Sequence, residues 1–72
     1  MIPLLMAGVG AQKVIREIHG KEETKHFLES LGFVAGGNVT VISEIGGNMI
    51  VNVKDTRVAI SKSMAGKIMV AA

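Results

Sequence analysis

Glu22, His26 and Glu29 stand four and three residues apart in the run Lys21-Glu22-Glu23-Thr24-Lys25-His26-Phe27-Leu28-Glu29-Ser30-Leu31. If that run is helical, one imidazole and two carboxylates share a face, and such a set suits a divalent transition metal. A solvated charged face is the commoner use of these residues, and no neighbouring group is placed to orient the imidazole. No dedicated metal and no other cofactor is therefore expected. Met1, Met6, Met49, Met64 and Met69 offer soft thioethers at irregular spacing. Flexible core filler is the better reading of methionine in a chain short of aromatic volume.

Gly8-Val9-Gly10-Ala11-Gln12-Lys13 has the glycines and lysine of a phosphate loop. It lacks the glycine directly before the lysine and the Ser or Thr after it, and it runs into Val14-Ile15, which reads as strand where a phosphate loop opens a helix. Asn38-Val39-Thr40 matches a glycosylation acceptor, but with no secretory signal in front of it the tripeptide is a strand entry. Two histidines and one aspartate leave no set of nucleophile, base and orienting acid. No enzyme is expected.

The chain has 72 residues and no cysteine, so neither a disulfide nor a thiolate-bound zinc can staple a core that is necessarily small. Absence of cysteine fits a reducing cytosol. Hydrophobic residues make up 49% and aromatics 3%, so the interior is aliphatic. The net charge of +2 is dispersed over the chain with acidic residues among the basic ones. No basic run and no interleaved aromatics point to nucleic acid. The uncharged opening Met1 to Ala11 is broken by Pro3, Gly8 and Gly10 and falls short of the roughly 18 apolar residues that a membrane span needs. It is expected to be an extended arm packed on the core, with no direct membrane insertion.

These side chains need elements to hold them. Thr24, Phe27, Leu28 and Leu31 follow the spacing of one helical face, with Glu22 and Glu23 in the first turn, where carboxylates meet the positive end of the helix dipole. Gly32 then stands where a helix exit needs a left-handed backbone, and Phe33 where an apolar side chain folds back on Leu28. The helix is expected to bury Phe27, Leu28 and Leu31 and to leave Glu22, His26 and Glu29 in water.

The remainder alternates as strands do. Ala11 to Ile18 forms one strand. Val39 and Val41, then Met49, Val51 and Val53, then Val58 and Ile60 mark three more in a meander. Gly46-Gly47 is expected to supply positive φ to the first hairpin, and Asp55-Thr56 a polar turn to the second. Ser61 or Ser63 can cap a single helical turn before Lys67 to Val70 closes the sheet. The result is a mainly β chain of about five strands with one or two short helices, one domain over residues 1–72, closed into a small barrel. Its interior should hold Val39, Val41, Val51, Val53, Val58 and Ile60, which share one parity in their strands.

Leu4-x-x-x-Gly8, Gly10-Ala11-x-x-Val14-Ile15, Leu28-x-x-Leu31-Gly32-Phe33-x-x-Gly36-x-x-Val39-x-Val41, Arg57-Val58-Ala59-Ile60 and Ala65-x-x-Ile68-x-Val70 together resemble the FeoA family, ferrous iron transport protein A. The helix exit is the most specific piece. The family often places Pro before the second glycine, where this chain has Ala35. The resemblance implies an SH3-like small β-barrel similar to the C-terminal domain of DtxR-type metal-dependent repressors, a cytoplasmic location in a prokaryote, and a partner, the cytoplasmic GTPase domain of a FeoB-type ferrous iron transporter. It carries no catalytic residues. Contact residues are sought at the helix and a hairpin, in Lys25, Leu28, Glu29, Asn48 and Met49, with Gly32, Gly36 and Gly47 as structural turns. A nucleic-acid-binding module and a divalent-metal sensor or metallochaperone built on Glu22, His26 and Glu29 are the alternatives.

Overall fold

The computed structural model describes residues 1–72. Strands β1 (Ile2–Pro3) and β2 (Gln12–Ile18) precede helix α1 (Glu22–Ser30); β3 (Asn38–Ile45), β4 (Asn48–Val53), β5 (Thr56–Ser61), helix α2 (Lys62–Ala65) and β6 (Ile68–Val70) follow. The six strands are ordered β1-β6-β2-β3-β4-β5, and every neighbouring pair is antiparallel. The extra strand comes from the opening arm: Ile2 and Pro3 pair with Val70 and Met69. The arm then makes a 3-10 turn over Leu4–Met6 and drops Leu4 and Ala7 into the core.

Strand β2 curls the sheet. Its first half, Gln12 to Val14, pairs with β3, and its second half, Ile15 to Ile18, with β6. Ile15 and Ile18 lie three residues apart, so a regular strand would turn them to opposite faces. A bulge at Arg16 takes up the extra residue, as the register passes from Ile15↔Val70 to Glu17↔Met69. Ile15 is thereby fully buried and Ile18 packs against the core. A second bulge, at Ile42, bends β3 where Val41↔Val51 gives way to Ser43↔Ile50.

The sheet is barrel-like but does not close. Strands β1 and β5 each have one neighbour, because β1 stops at Pro3, which has no N–H for a further ladder, and the 3-10 turn carries the chain away. The aliphatic interior is otherwise as its parity requires. Val39, Val41, Val51, Val53 and Ile60 are buried, whereas Val58, on the unpaired strand β5, is only half-buried and packs against the cluster. No polar residue is buried.

Both hairpins have two-residue turns, with differences from the sequence expectation. In the first, only Gly46 takes positive φ (58°), the pattern of a type II′ turn, so Gly47 is not held there by its backbone. In the second, the turn is Lys54-Asp55, one residue earlier than expected, with φ of 49° and 59° and Val53 facing Thr56. Two positive φ values mark a type I′ turn, whose twist matches the strands; that match outweighs the steric cost to two non-glycine residues. Ser61 caps α2 by accepting from the Met64 N–H at 3.1 Å.

Candidate functional site

Helix α1 ends as its residue types require. With Leu31 as the last half-helical residue, the Gly32 N–H donates to the Glu29 carbonyl at 2.9 Å and the Phe33 N–H to the Leu28 carbonyl at 3.0 Å, the two bonds of a Schellman ending. Gly32 has φ of 109°. Gly36, at φ of 89°, brings the returning chain onto β2, where its N–H donates to the Ile15 carbonyl and the Ile15 N–H donates to the Gly37 carbonyl, both at 2.8 Å. Phe33, Val34 and Ala35 are thus laid out beside the helix they follow.

A groove of about 200 Å³ opens there, lined by Ile18, Lys25, Glu29, Phe33, Val34 and Ala35. Its accessible floor is the apolar surface of Ile18, Val34 and Ala35, with Phe33 fully covered beneath, and its helical rim carries one cation and one anion a turn apart. These two do not neutralise each other or anything else: the ion pairs of the molecule are His19–Glu17, His26–Glu22 and Lys62–Glu44. Lys25 is half-buried and Glu29 exposed. What the arrangement offers is an apolar floor with two opposite charges at its rim, which can orient a bound group.

The other expected residues divide. Leu28 and Met49 have no exposure at all, so neither can touch a partner, and both are core. Asn48 is exposed but sits on the β3–β4 hairpin, outside the groove. Phe27 is 51% exposed, contrary to the expectation that it is buried. The helix turns inward along Thr24, Lys25, Leu28 and Leu31, and Phe27 lies about 100° round the axis from Leu28. Glu22 and His26 pair at 3.4 Å, Glu29 joins no ion pair, and no three His, Cys, Asp or Glu side chains are close enough to hold a metal ion. The donor set that the spacing suggested is not assembled.

Sequence reasoning missed Ile18, Phe33, Val34 and Ala35 as groove lining. Phe33 was visible only as the apolar contact of the helix exit, and Ile18 turns toward the groove because of the bulge at Arg16. A second cleft, of about 320 Å³, lies on the outer face of β2, β3 and β4 between Gln12, Asn38, Thr40, Asn52, Lys54 and Asp55, with no apolar lining.

The family model for the FeoA domain matches residues 2–72. A solved structure described as an iron uptake regulatory protein (FeoA) is 31% identical, with a TM-score of 0.90 over 97% of this chain and 93% of that one. The zinc complex of Stenotrophomonas maltophilia FeoA, described as an SH3 domain protein and as a candidate activating factor of ferrous iron transport, is 25% identical, with a TM-score of 0.86 over 99% of this chain and 91% of that one. IdeR of T. acidophilum shares the fold at 21% identity and a TM-score of 0.84, with 96% of this chain corresponding to 32% of that one. No curated protein matches.

Proposed function

Because this chain belongs to the FeoA family, we propose that it serves ferrous iron uptake as an accessory protein that docks on the cytoplasmic GTPase domain of a FeoB-type transporter. The observation that carries this reading is the helix-exit groove, an apolar floor between an unpaired Lys25 and an unpaired Glu29. Burying an apolar side chain in the groove supplies affinity, and the two opposite charges fix its orientation. No helix is long and apolar enough to cross a membrane; a cytoplasmic place follows from that of the proposed partner.

Zinc is a property of the Stenotrophomonas maltophilia protein. With no cysteine here and no three acidic or imidazole groups together, the residues present do not fit a structural zinc, and the proposed function needs none. Titration calorimetry of the chain against the isolated transporter domain, in its GDP and GTP-analogue states, tests the partnership. Saturable binding in either state is expected, and none in both would remove the partner.

A further inference from the structure

A second turn follows the helix exit, and its main chain is only partly used. The Gly37 N–H donates to the Val34 carbonyl at 3.0 Å, and within the turn only Gly36 has positive φ, which makes Val34 to Gly37 a type II turn with Ala35 in its second position. The Gly36 N–H is held by the Ile15 carbonyl. The Ala35 N–H, by contrast, donates to no carbonyl of the chain, and no N–H of the chain donates to the Ala35 carbonyl. Across a trans peptide the N–H and C=O point opposite ways, so the Ala35 N–H is directed away from the interior of the turn and its C=O away from β2. Ala35 is exposed and lines the groove.

The groove itself is the size of one side chain. Its volume is about 200 Å³, where a cavity of about 150 Å³ holds a single benzene ring, so it has no room for the several anchors, at i, i+3 or i+4 and i+7, that a docked helix lays down. An extended segment needs only one. Lys25 and Glu29 are four residues apart on α1, about 6 Å along its axis, and residues i and i+2 of an extended chain stand about 6.7 Å apart on one face while i+1 points to the other. Three extended residues therefore span both rim charges and leave the middle side chain for the floor.

We propose, on the reading of this groove as the docking site, that it receives an extended segment of the partner protein in which an acidic and a basic residue flank one large aliphatic residue. The acidic side chain meets Lys25 and the basic one Glu29, neither of which has an ion partner inside the chain. The aliphatic side chain covers Ile18, Val34 and Ala35, and the main chain of the segment bonds to the unused N–H and C=O of Ala35. Those bonds supply affinity whatever the sequence. The choice of sequence lies with the rim, since a like charge at Lys25 or at Glu29 opposes docking.

Chemical-shift titration of the isotopically labelled chain with capped pentapeptides, in which glycines flank Glu-Leu-Lys, Glu-Leu-Glu or Glu-Ala-Lys, tests this. The Glu-Leu-Lys peptide is expected to bind in the millimolar range and to slow hydrogen exchange at the Ala35 amide. The Glu-Leu-Glu peptide should bind about fivefold more weakly, and Glu-Ala-Lys, which lacks the anchor, at least about tenfold more weakly. In Glu29→Lys the order of the first two peptides should invert. Ala35→Pro removes the free N–H at a turn position that proline favours, so Tm should hold while affinity for Glu-Leu-Lys falls about fivefold; protection of the Ala35 amide in the parent chain gives the same reading if that variant fails to fold. Equal affinity for the three peptides, an order that Glu29→Lys leaves uninverted, an Ala35 amide left unprotected, or no binding by any peptide each overturns the proposal. If the transporter domain shifts the groove residues and the peptides do not, the docking site stands and the extended segment falls. Peptides that bind with the expected order when the transporter domain does not bind uphold the segment and remove that partner.

Discussion

The amide of Phe33 donates to the carbonyl of Leu28 at 3.0 Å, and neither side chain has any exposure. One helix terminus thus does two things at once. It closes the apolar core under α1, and it sets out Val34 and Ala35, which with Ile18 form the accessible floor of the groove beside Lys25 and Glu29, over a Phe33 that is itself covered. The site is consequently as rigid as the exit that builds it.

Gly32 is the pivot of that exit, at φ of 109°, and a Cβ there would stand 3.5 Å from the Lys54 stem and 3.6 Å from Val53. Space is adequate, so the cost of a side chain is conformational, about 1–2 kcal/mol for an ordinary residue and more for a β-branched one. Gly32→Val should lower the denaturant midpoint clearly. Ser30→Ala removes only an exposed bond to the Phe27 carbonyl and should stay within about 0.5 kcal/mol of the parent. Equal midpoints for the two variants would sink the account of the exit.

Two neighbours on α1 should respond in opposite ways. Leu28→Ala empties a fully buried site and should cost about 2–5 kcal/mol. Phe27→Ala removes a larger side chain that is 51% exposed and should change stability by about 0.5 kcal/mol or less. Urea unfolding followed by far-UV circular dichroism separates the two.

The Lys54-Asp55 turn holds both residues at positive φ, a conformation that Gly adopts without strain. Asp55→Gly should therefore stabilise the chain by up to about 1 kcal/mol, read as a rise in Tm of about 4–8 °C per kcal/mol for a domain of this size. A fall in Tm would mean that the Asp55 side chain contributes something the backbone argument leaves out.

Ferrous iron and zinc should bind the purified chain only weakly, since Glu22 and His26 are 80% and 75% exposed and Glu29 stands apart from them. Few ligands in water hold a metal loosely. Competition with a chelating dye measures the affinity. Submicromolar binding lost on His26→Ala would revive the metal-sensor alternative.

What could be read from the residues was whatever local chemistry decides. The helix exit at Gly32 and Phe33, the Ser61 cap and the inward parity of Val39, Val41, Val51 and Val53 depend on neighbours in sequence, and all are found. The misreadings have a common cause in geometry between distant elements. Phe27 fits a helical stripe as well as Thr24 and Lys25 do until the sheet fixes which side of α1 faces inward. Met49, a contact residue by its place on the hairpin, alternates with Val51 and Val53 and is core as they are. The bulge at Arg16, which turns Ile18 toward the groove, is set by pairing with β6 across about fifty residues. The groove itself is tertiary: Ile18 and Ala35 meet only because β2 and the returning loop hydrogen-bond.

Charge reversal on the groove rim is the test that reaches function. Lys25 and Glu29 are free of ion pairs and border an apolar floor, so a docked segment that places an acidic group at Lys25 and a basic group at Glu29 gains orientation from both. Lys25→Glu and Glu29→Lys should each weaken binding to the transporter's cytoplasmic domain, through slower association as well as faster release, and raised salt should narrow the difference from the parent, since exposed charges are screened within about 10 Å at 0.1 M ionic strength. Neither change should move thermal stability by more than a few degrees, because both side chains reach solvent. The double variant, which exchanges the two signs, should bind more weakly than either single one if the partner's charges are arranged as proposed. Titration calorimetry with all three variants reads the effect; unchanged affinity throughout would place the contact elsewhere on the barrel while leaving the partnership standing.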